Sequence, residues 1–377
     1  MLGAMLSVTG VVGPAAGGAV KARRAGRTRP HTAPPVSVTT TPPLDQPLSI
    51  DPARFDRLQA ALNMWTQTTT GVDTITVAVS AGGQTWEGSA RHDGAPGPDP
   101  RTRYRVASIT KTVTAAVVLR SVEAGMLTLD GSLPLIDGVW DAPPADITVR
   151  TLLNHRSGLI DYTEAPGFQP DQPITPEQAV ELSFTAPLRS APGTQTHYVN
   201  SNYLVLGLLV QQVQRRSLPD LVTDLVGPVG LVNTQLELPG VPGWAGFASG
   251  GVVSTVGDMA QWGQALFTPG RIISADSLAL MLTPNDDNGG AGTWGFCPCN
   301  NASIGVDHHV ALGHFTAAGG LFHFPRLQVT LVVRMEPPNQ TNVTRSLSLF
   351  TALRAELQGL TPPPGPQAAA VARSSTD

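Results

Sequence analysis

Lysine is almost missing from this chain. Two lysines, Lys21 and Lys111, stand among 24 basic residues in 377, and arginine supplies the rest. Cysteine is as scarce: Cys297 and Cys299 are the only two, too few for a disulfide framework or the four-thiolate zinc modules. Charged residues make up 14%, against roughly 25% in an average soluble domain. The net charge of -4 leaves no basic surplus for a nucleic-acid partner. No collagen period, heptad array or solenoid repeat is present. No His-Glu-x-x-His helix and no glycine-rich phosphate loop after a strand are found, so neither metal nor cofactor is expected. What is plentiful is hydrophobic residues at 41%, together with 39 glycines and 34 prolines. That balance predicts one sizeable globular body with long loops and loose ends.

The first 47 residues read as a leader and a linker. Residues 1–20 carry no charge and include the apolar stretch Met1 to Val12. Small residues suited to signal cleavage follow (Ala15, Ala16, Ala19, Ala22), although a basic n-region is missing. Export is the expectation, making the protein secreted, periplasmic or cell-envelope-bound; a retained membrane anchor and an inert leader are the alternatives. Lys21, Arg23, Arg24, Arg27 and Arg29 then precede Pro34, Pro35, Pro42, Pro43 and Pro47. This is a basic, Pro/Thr-rich, disordered tether. Residues 361–377 read as a second disordered tail, leaving 48–360 as the folded body.

Within that body Asp51 to Met64 has helical spacing of Phe55, Leu58, Ala61 and Leu62. Ile75–Val79 and Thr85–Gly88 flank Gly82-Gly83 as a hairpin. Thr112 to Val122 is apolar nearly all round and suits a buried helix. Ile147–Leu153, Pro176–Phe184, Asn202–Val213 and Thr255–Leu266 also read as helices. Val310–Gly313, Gly320–Phe324 and Leu327–Arg334 read as strands, and Arg345–Leu357 as a closing amphipathic helix. Strands at both ends of the chain, with helices between, predict a sheet domain built from both termini with a helical subdomain inserted.

Lys111 is the only lysine of the folded body, and it lies in Ser108-Ile109-Thr110-Lys111. Arginine stays protonated in proteins, whereas a buried lysine loses its proton readily. An i, i+3 spacing places Ser108 and Lys111 on one helix face. A serine hydroxyl is a weak nucleophile until a base takes its proton, and a desolvated amine is such a base. The bland reading is a solvated lysine on an ordinary helix.

Two further segments carry candidate chemistry. Tyr198-Val199-Asn200 leads into an apolar helix. Beside a lysine, Tyr198 could act as a phenolate or as a proton relay. Asn200 could orient the lysine and accept a substrate amide, or simply cap the helix. Gly313-His314-Phe315-Thr316 precedes Ala317-Ala318-Gly319-Gly320. A strand edge there could offer a backbone N–H that joins that of Ser108 in an oxyanion hole. His314 would supply a donor or positive charge to a substrate carboxylate; a strand-end histidine with no role is the alternative.

The ordered set Ser108-x-x-Lys111, Tyr198-x-Asn200 and His314-x-Thr316 resembles the serine β-lactamase and penicillin-recognising D-alanyl-D-alanine carboxypeptidase family. LLNHRSGLIDY (152–162), YVNSNYLVLG (198–207) and FASGGVVSTVGDMAQW (247–262) are similar to its intervening segments. The resemblance spans roughly residues 50–356. It implies an α+β, β-lactamase/transpeptidase-like fold, with an antiparallel sheet flanked by helices and an inserted all-helical subdomain. It also implies a metal-independent serine hydrolase. Ser108 would be acylated, Lys111 would be the base, and Tyr198 would shuttle the proton. Asn200, His314, Thr316 and the Ala317 N–H would bind the substrate. The implied partner is a small molecule or a cell-wall peptide. The implied activity is that of a carboxypeptidase or β-lactamase relative; a carboxylic ester hydrolase and a non-catalytic penicillin sensor are the alternatives. One departure stands out. The family has glycine where Thr316 lies and a small hydroxyl residue where Phe315 lies. That substitution weakens the case for carboxylate recognition and leaves ester or amide chemistry untouched.

Other segments read as structural. Thr255 and Asp258 have capping-box spacing. His155, Ser157 and Gly158 are expected to hold a loop flanking the cleft, and Gly250-Gly251 to make a tight turn. Cys297 and Cys299 are either a tight disulfide or free thiols. Asp307, His308 and His309 have no recognised ligand spacing for a metal. Asn301, Asn339 and Asn342 head sequons that matter only in a eukaryotic secretory pathway.

Overall fold

The computed structural model describes residues 47–136, 139, 146–237, 240–283, 297–301, 306–314, 318–337 and 342–358. Within 297–318 and for 342–344 the description is of the backbone alone. The leader, the linker up to residue 46 and the tail 361–377 lie outside it.

Asp51 caps a short 3₁₀ turn by accepting the Ala53 N–H, and α1 (Phe55–Thr68) follows, burying Leu58, Ala61, Leu62 and Trp65. β1 (Thr74–Ala81) and β2 (Gln84–Arg91) form a hairpin. Its two loop residues, Gly82 and Gly83, sit at φ +59° and +77°, the left-handed pair that matches the twist of a two-residue turn. The chain then passes through β3 (Tyr104–Arg105) into α2 (Thr110–Glu123), α3 (Val149–Leu153), α4 (Pro176–Thr185), α5 (Asn200–Gln214) and α6 (Leu218–Val226). Next come β4 (Gln235–Leu236), α7 (Phe247–Gly250), β5 (Val252–Ser254), α8 (Val256–Leu266) and α9 (Ala275–Leu282). β6 (Cys297–Asn301), β7 (Val306–His314), β8 (Ala318–Phe324), β9 (Val329–Glu336) and α10 (Asn342–Gln358) close the described chain.

The main sheet has the order β2-β1-β9-β8-β7-β6, with antiparallel neighbours throughout. β1 meets β9 from Thr74↔Glu336 to Ala81↔Val329, so the two ends of the body share the centre of one sheet, as the sequence pattern predicts. Strand alternation splits the core in two. Val77, Val79, Leu331 and Val333 face a layer formed by α1 and α10, where Phe324 stacks on Phe350 at 3.7 Å. Ala78, Leu321 and Val332 face the other way, onto the larger core of α2, α5, α6 and α8. A second, three-stranded antiparallel sheet, β3-β5-β4, lies beside that core.

The predicted elements are present, with ends shifted by a few residues. The small sheet, β6, α6, α7 and α9 were not read from the sequence. α7 is four residues long and shows no period, whereas α6 carries a legible start: Ser217 caps it and Pro219 stands in its first turn. Thr255 does cap α8, accepting the Asp258 N–H. The Asp258 carboxylate turns instead to Asn233 and Thr234 and ties β4 to the helix. Gly251 closes the approach to α7, where a Cβ would lie 2.7 Å from the Phe247 carbonyl. The backbones of Cys297 and Cys299 belong to β6, paired with Val310 and His308. Among the described residues no helix is long and apolar enough to cross a membrane.

Candidate active site

Ser108 sits in a 3₁₀ turn (Ala107–Ile109) that runs directly into α2. The residue before it, Ala107, has φ +48°, an unfavourable backbone for an alanine that persists because its surroundings fix it. α2 is buried on nearly every side, and its three threonines dispose of their hydroxyls locally. Thr110 accepts the Val252 N–H at 3.0 Å, Thr112 donates to Ile109 at 2.8 Å, and Thr114 donates to Ala248 at 2.7 Å. The helix is thus clamped to β5 and α7, with Lys111 one turn from the serine.

Lys111 is fully buried. Its Nζ lies 3.0 Å from Ser108 Oγ, 2.9 Å from Asn200 Oδ1 and 2.8 Å from the Ser249 carbonyl. Burial brings its pKa down to about 7, against the opposing charge of Asp161. A neutral amine has two hydrogens and one lone pair. The Ser249 carbonyl and Asn200 Oδ1 can only accept, so they take the hydrogens. The lone pair is left for the third neighbour, the Ser108 hydroxyl. The arrangement fits a general base acting on a serine.

α5 and α7, which carries Ser249, approach closely. A Cβ at Gly207 would lie 2.4 Å from that of Ala248 and 2.7 Å from the Phe247 ring. Only glycine permits that contact.

Tyr198 stands on the other side of Ser108, its hydroxyl donating to Oγ at 2.7 Å. The residue is 37% exposed. Desolvation still holds its phenol above the ordinary range, outweighing the bond to Ser108. The resting group is a phenol, able to donate to Ser108. Lys111 Nζ lies 4.9 Å from the centre of the Tyr198 ring and 5.6 Å from that of Tyr203.

Asn200 is the first residue of α5, and its side chain is not a cap. Its amide bridges Lys111 and Asp161: Oδ1 receives the amine, and Nδ2 donates to Asp161 Oδ2 at 3.0 Å. The same Asp161 oxygen takes the Asn200 N–H at 2.6 Å. Asp161, only 8% exposed, was missed by sequence reasoning. Its one local signal is the short turn it caps, through Thr163. The Ser249 carbonyl was also missed, and no sequence could mark it, since every residue carries one.

His155, Ser157 and Gly158 hold their loop against Tyr198 and the start of α5. Ser157 donates to Asn202 Oδ1 at 2.6 Å and accepts the Leu159 N–H at 3.1 Å. Gly158, at φ +77°, lies where a Cβ would meet the Ser190 carbonyl at 2.0 Å. His155 stacks on Tyr198, ring centres 4.4 Å apart, and its Nδ1 takes the Val199 N–H at 3.3 Å. Burial and the nearby Lys111 push its pKa down to about 3, so the ring is a neutral support for the tyrosine.

The backbone of β7 lies against the turn that carries Ser108 and ends at His314, opposite Ala318 on β8. The His314 side chain, and Phe315, Thr316 and Ala317, lie outside the described residues, as do the side chains of Asp307, His308 and His309. Among the described residues no cluster of His, Cys, Asp and Glu could hold a metal ion.

The Beta-lactamase family model matches residues 55–323. A D-aminopeptidase of Brucella anthropi is 31% identical over 192 residues, covering 44% of this chain and 36% of the relative. The Brucella ovis D-aminopeptidase is 32% identical over 144 residues, covering 37% and 27%. The chain thus matches about a third of the length of these curated relatives. The D-amino acid amidase of Ochrobactrum anthropi SV3 with bound D-phenylalanine superposes at TM-score 0.67, with 20% identity over 81% of this chain and 99% of that one. A D-stereospecific amidohydrolase from Streptomyces gives 0.65, with 24% identity over 83% and 100%. A penicillin binding protein from Bacillus halodurans gives 0.62, with 20% identity over 81% and 100%. These structures share the fold, an antiparallel sheet flanked by helices. With its family match running from α1 through β8 and a serine and a buried lysine in hydrogen-bond contact at its centre, the chain belongs to the β-lactamase family of serine hydrolases.

Proposed function

We propose that the protein hydrolyses amides of small D-amino acids or D-amino-acid peptides through an acyl-enzyme on Ser108. The observation that carries this reading is the position of Ser108 Oγ, 3.0 Å from a buried amine poised near neutrality and 2.7 Å from a phenol. In the first half-reaction Lys111 takes the Ser108 proton as Oγ bonds to the substrate carbonyl carbon. The Ser108 N–H donates to the developing oxyanion, with the Ala317 N–H as its partner. As the C–N bond breaks, Tyr198 gives its proton to the leaving amine and is reprotonated from Lys111. Water then attacks the ester, its proton passing by the same route in reverse, and Ser108 is regenerated. Asn200 holds the amine, and the family resemblance would give His314 and Thr316 a role in binding the substrate.

The choice of D-amino-acid amides over a carboxypeptidase substrate rests on the D-aminopeptidase and D-amino acid amidase relatives. It agrees with the departure at Phe315 and Thr316, where the family's carboxylate-binding hydroxyl is missing. An exported location, from the pattern of the leader, belongs to the same reading.

The test compares D-phenylalanine amide with its L enantiomer, alongside intact-protein mass after incubation with a penicillin, for wild type and Ser108→Ala. Turnover of the D-amide, lost in Ser108→Ala, is the expected result. Turnover of p-nitrophenyl esters alone would make the protein a carboxylic ester hydrolase. A stable penicillin adduct on wild type alone, with no amide turnover, would support a carboxypeptidase or sensor instead.

A further inference from the structure

Asn200 presents its carbonyl oxygen to Lys111, and nothing in the Asn200–Lys111 contact itself enforces that orientation. Turned by 180° about its last bond, the amide would aim Nδ2 at the amine. An N–H donor would then compete with the Ser108 hydroxyl for the lone pair of Lys111, and the base would be disabled. Something outside the pair selects the working orientation.

We propose that Asp161 is a positioning residue for the acylation step: it fixes the Asn200 amide so that the lone pair of Lys111 is left to Ser108. Each Asp161 oxygen accepts two donors. Oδ2 takes the Asn200 N–H at 2.6 Å and Nδ2 at 3.0 Å; Oδ1 takes the Thr163 N–H at 3.2 Å and hydroxyl at 2.8 Å. A carboxylate is the one side chain that accepts at both of its tips in this way. An amide of the same shape has a single accepting tip, so Asp161→Asn must abandon either Asn200 or Thr163.

Asp161 also carries charge into the pocket. The groups facing the amine are the Ser108 and Tyr198 hydroxyls, the Asn200 amide, the Ser249 carbonyl and the Tyr203 ring, with the neutral His155 ring behind Tyr198. Among the described residues Asp161 is the negative charge that acts on Lys111, and it favours the ammonium form. Removing it makes the amine lose its proton at lower pH, so the acid limb of kcat/KM moves to lower pH. At the same time the plateau falls, because Asn200 is released. A residue that only held the fold would move neither the titration of Lys111 nor that limb.

This inference rests on the proposed function, and a measurement that needs no substrate separates the two. Lys21 and Lys111 are the only lysines, so lysine labelled with ¹³C at Cε gives two resonances in the full chain, assigned by Lys21→Arg. The expected result for Asp161→Asn is a Lys111 midpoint lower by about one unit. The acid limb for p-nitrophenyl acetate should follow, and kcat should fall on the order of 10²-fold. Asp161→Glu keeps the charge and displaces it by one methylene; it should leave the midpoint near that of wild type while kcat falls. A folded Asp161→Asn protein with an unmoved Lys111 midpoint overturns the assignment. Should that variant fail to fold, full kcat in Asp161→Glu overturns it. A shifted midpoint in a protein that acylates with no probe would leave the Asp161–Lys111 linkage standing and remove the hydrolase reading instead.

Discussion

The two faces of the main sheet are built from the same strands and do different work. Towards α1 and α10 the core is almost wholly apolar: Leu58, Trp65, Phe324, Leu331, Phe350 and Leu353 fill it. Towards α2 and α5 the core is larger and holds Lys111, His155, Ser157, Asp161, Ser201, Asn202 and Ser249 in near-complete burial. Buried polar groups are costly unless each finds a partner, and here a network of specific hydrogen bonds takes up most of them, with His155 Nε2 an exception. Both faces supply stability through their hydrophobic cores, and the polar face uses some of it to hold a neutral amine against a hydroxyl.

Substitutions on the polar face should abolish chemistry with the fold intact. The largest effect is expected for Lys111→Arg, whose guanidinium cannot act as a neutral base. Acylation should fall to background in a protein that still shows native circular dichroism, and near-native turnover would remove Lys111 from the mechanism. Tyr198→Phe should cut kcat by roughly 10²–10⁴, the usual weight of general acid–base help; an unchanged kcat would reassign the proton relay.

On the apolar face the expectation reverses. Phe350→Ala removes a ring stacked on Phe324 and should lower stability by about 3–5 kcal/mol. The kcat of the folded fraction should stay at the wild-type value, as chemical denaturation and active-site titration would show. A large loss of kcat would mean that the two faces are coupled.

The most gradual effect is a pH dependence. The folded pKa of Lys111 is about 7, below the ordinary lysine value of 10.5. Between those values the unfolded chain binds the extra proton, so stability rises with pH across that window. Below pH 7 both states hold the proton and the full cost of the buried ammonium is felt. Lys111→Met should lose that slope, and a series of urea titrations from pH 7 to 10 would detect it. An identical slope in both proteins would mean that the amine is not desolvated.

Much of this polar face was legible in the sequence because one of its members is rare. A single lysine in the folded body singles out Lys111, and the i, i+3 step from Ser108 is a property of helices that needs no tertiary knowledge. Tyr198 and Asn200 were readable as candidates, but their roles were not. Whether Asn200 caps a helix or holds an amine depends on what stands opposite, and Asp161 comes from a loop about forty residues away in sequence. Asp161 itself looks like an ordinary turn residue. The sheet was legible from its alternating strands at both ends of the body. The three-stranded sheet was not, since two- and three-residue strands show no period.

The pairing of β1 with β9 also sets an order of events during synthesis. β1 leaves the ribosome with β2, but its other edge has no partner until Val329 and the residues after it emerge. At about 5–20 residues per second that wait lasts on the order of ten seconds to a minute. Throughout it the nascent chain presents an unpaired apolar strand edge, the kind of surface on which chains aggregate. The helices around Ser108 are made within the same interval, before the sheet they pack on exists. Fragments that stop short of β9 should therefore be insoluble even though they carry Ser108, Lys111, Tyr198 and Asp161.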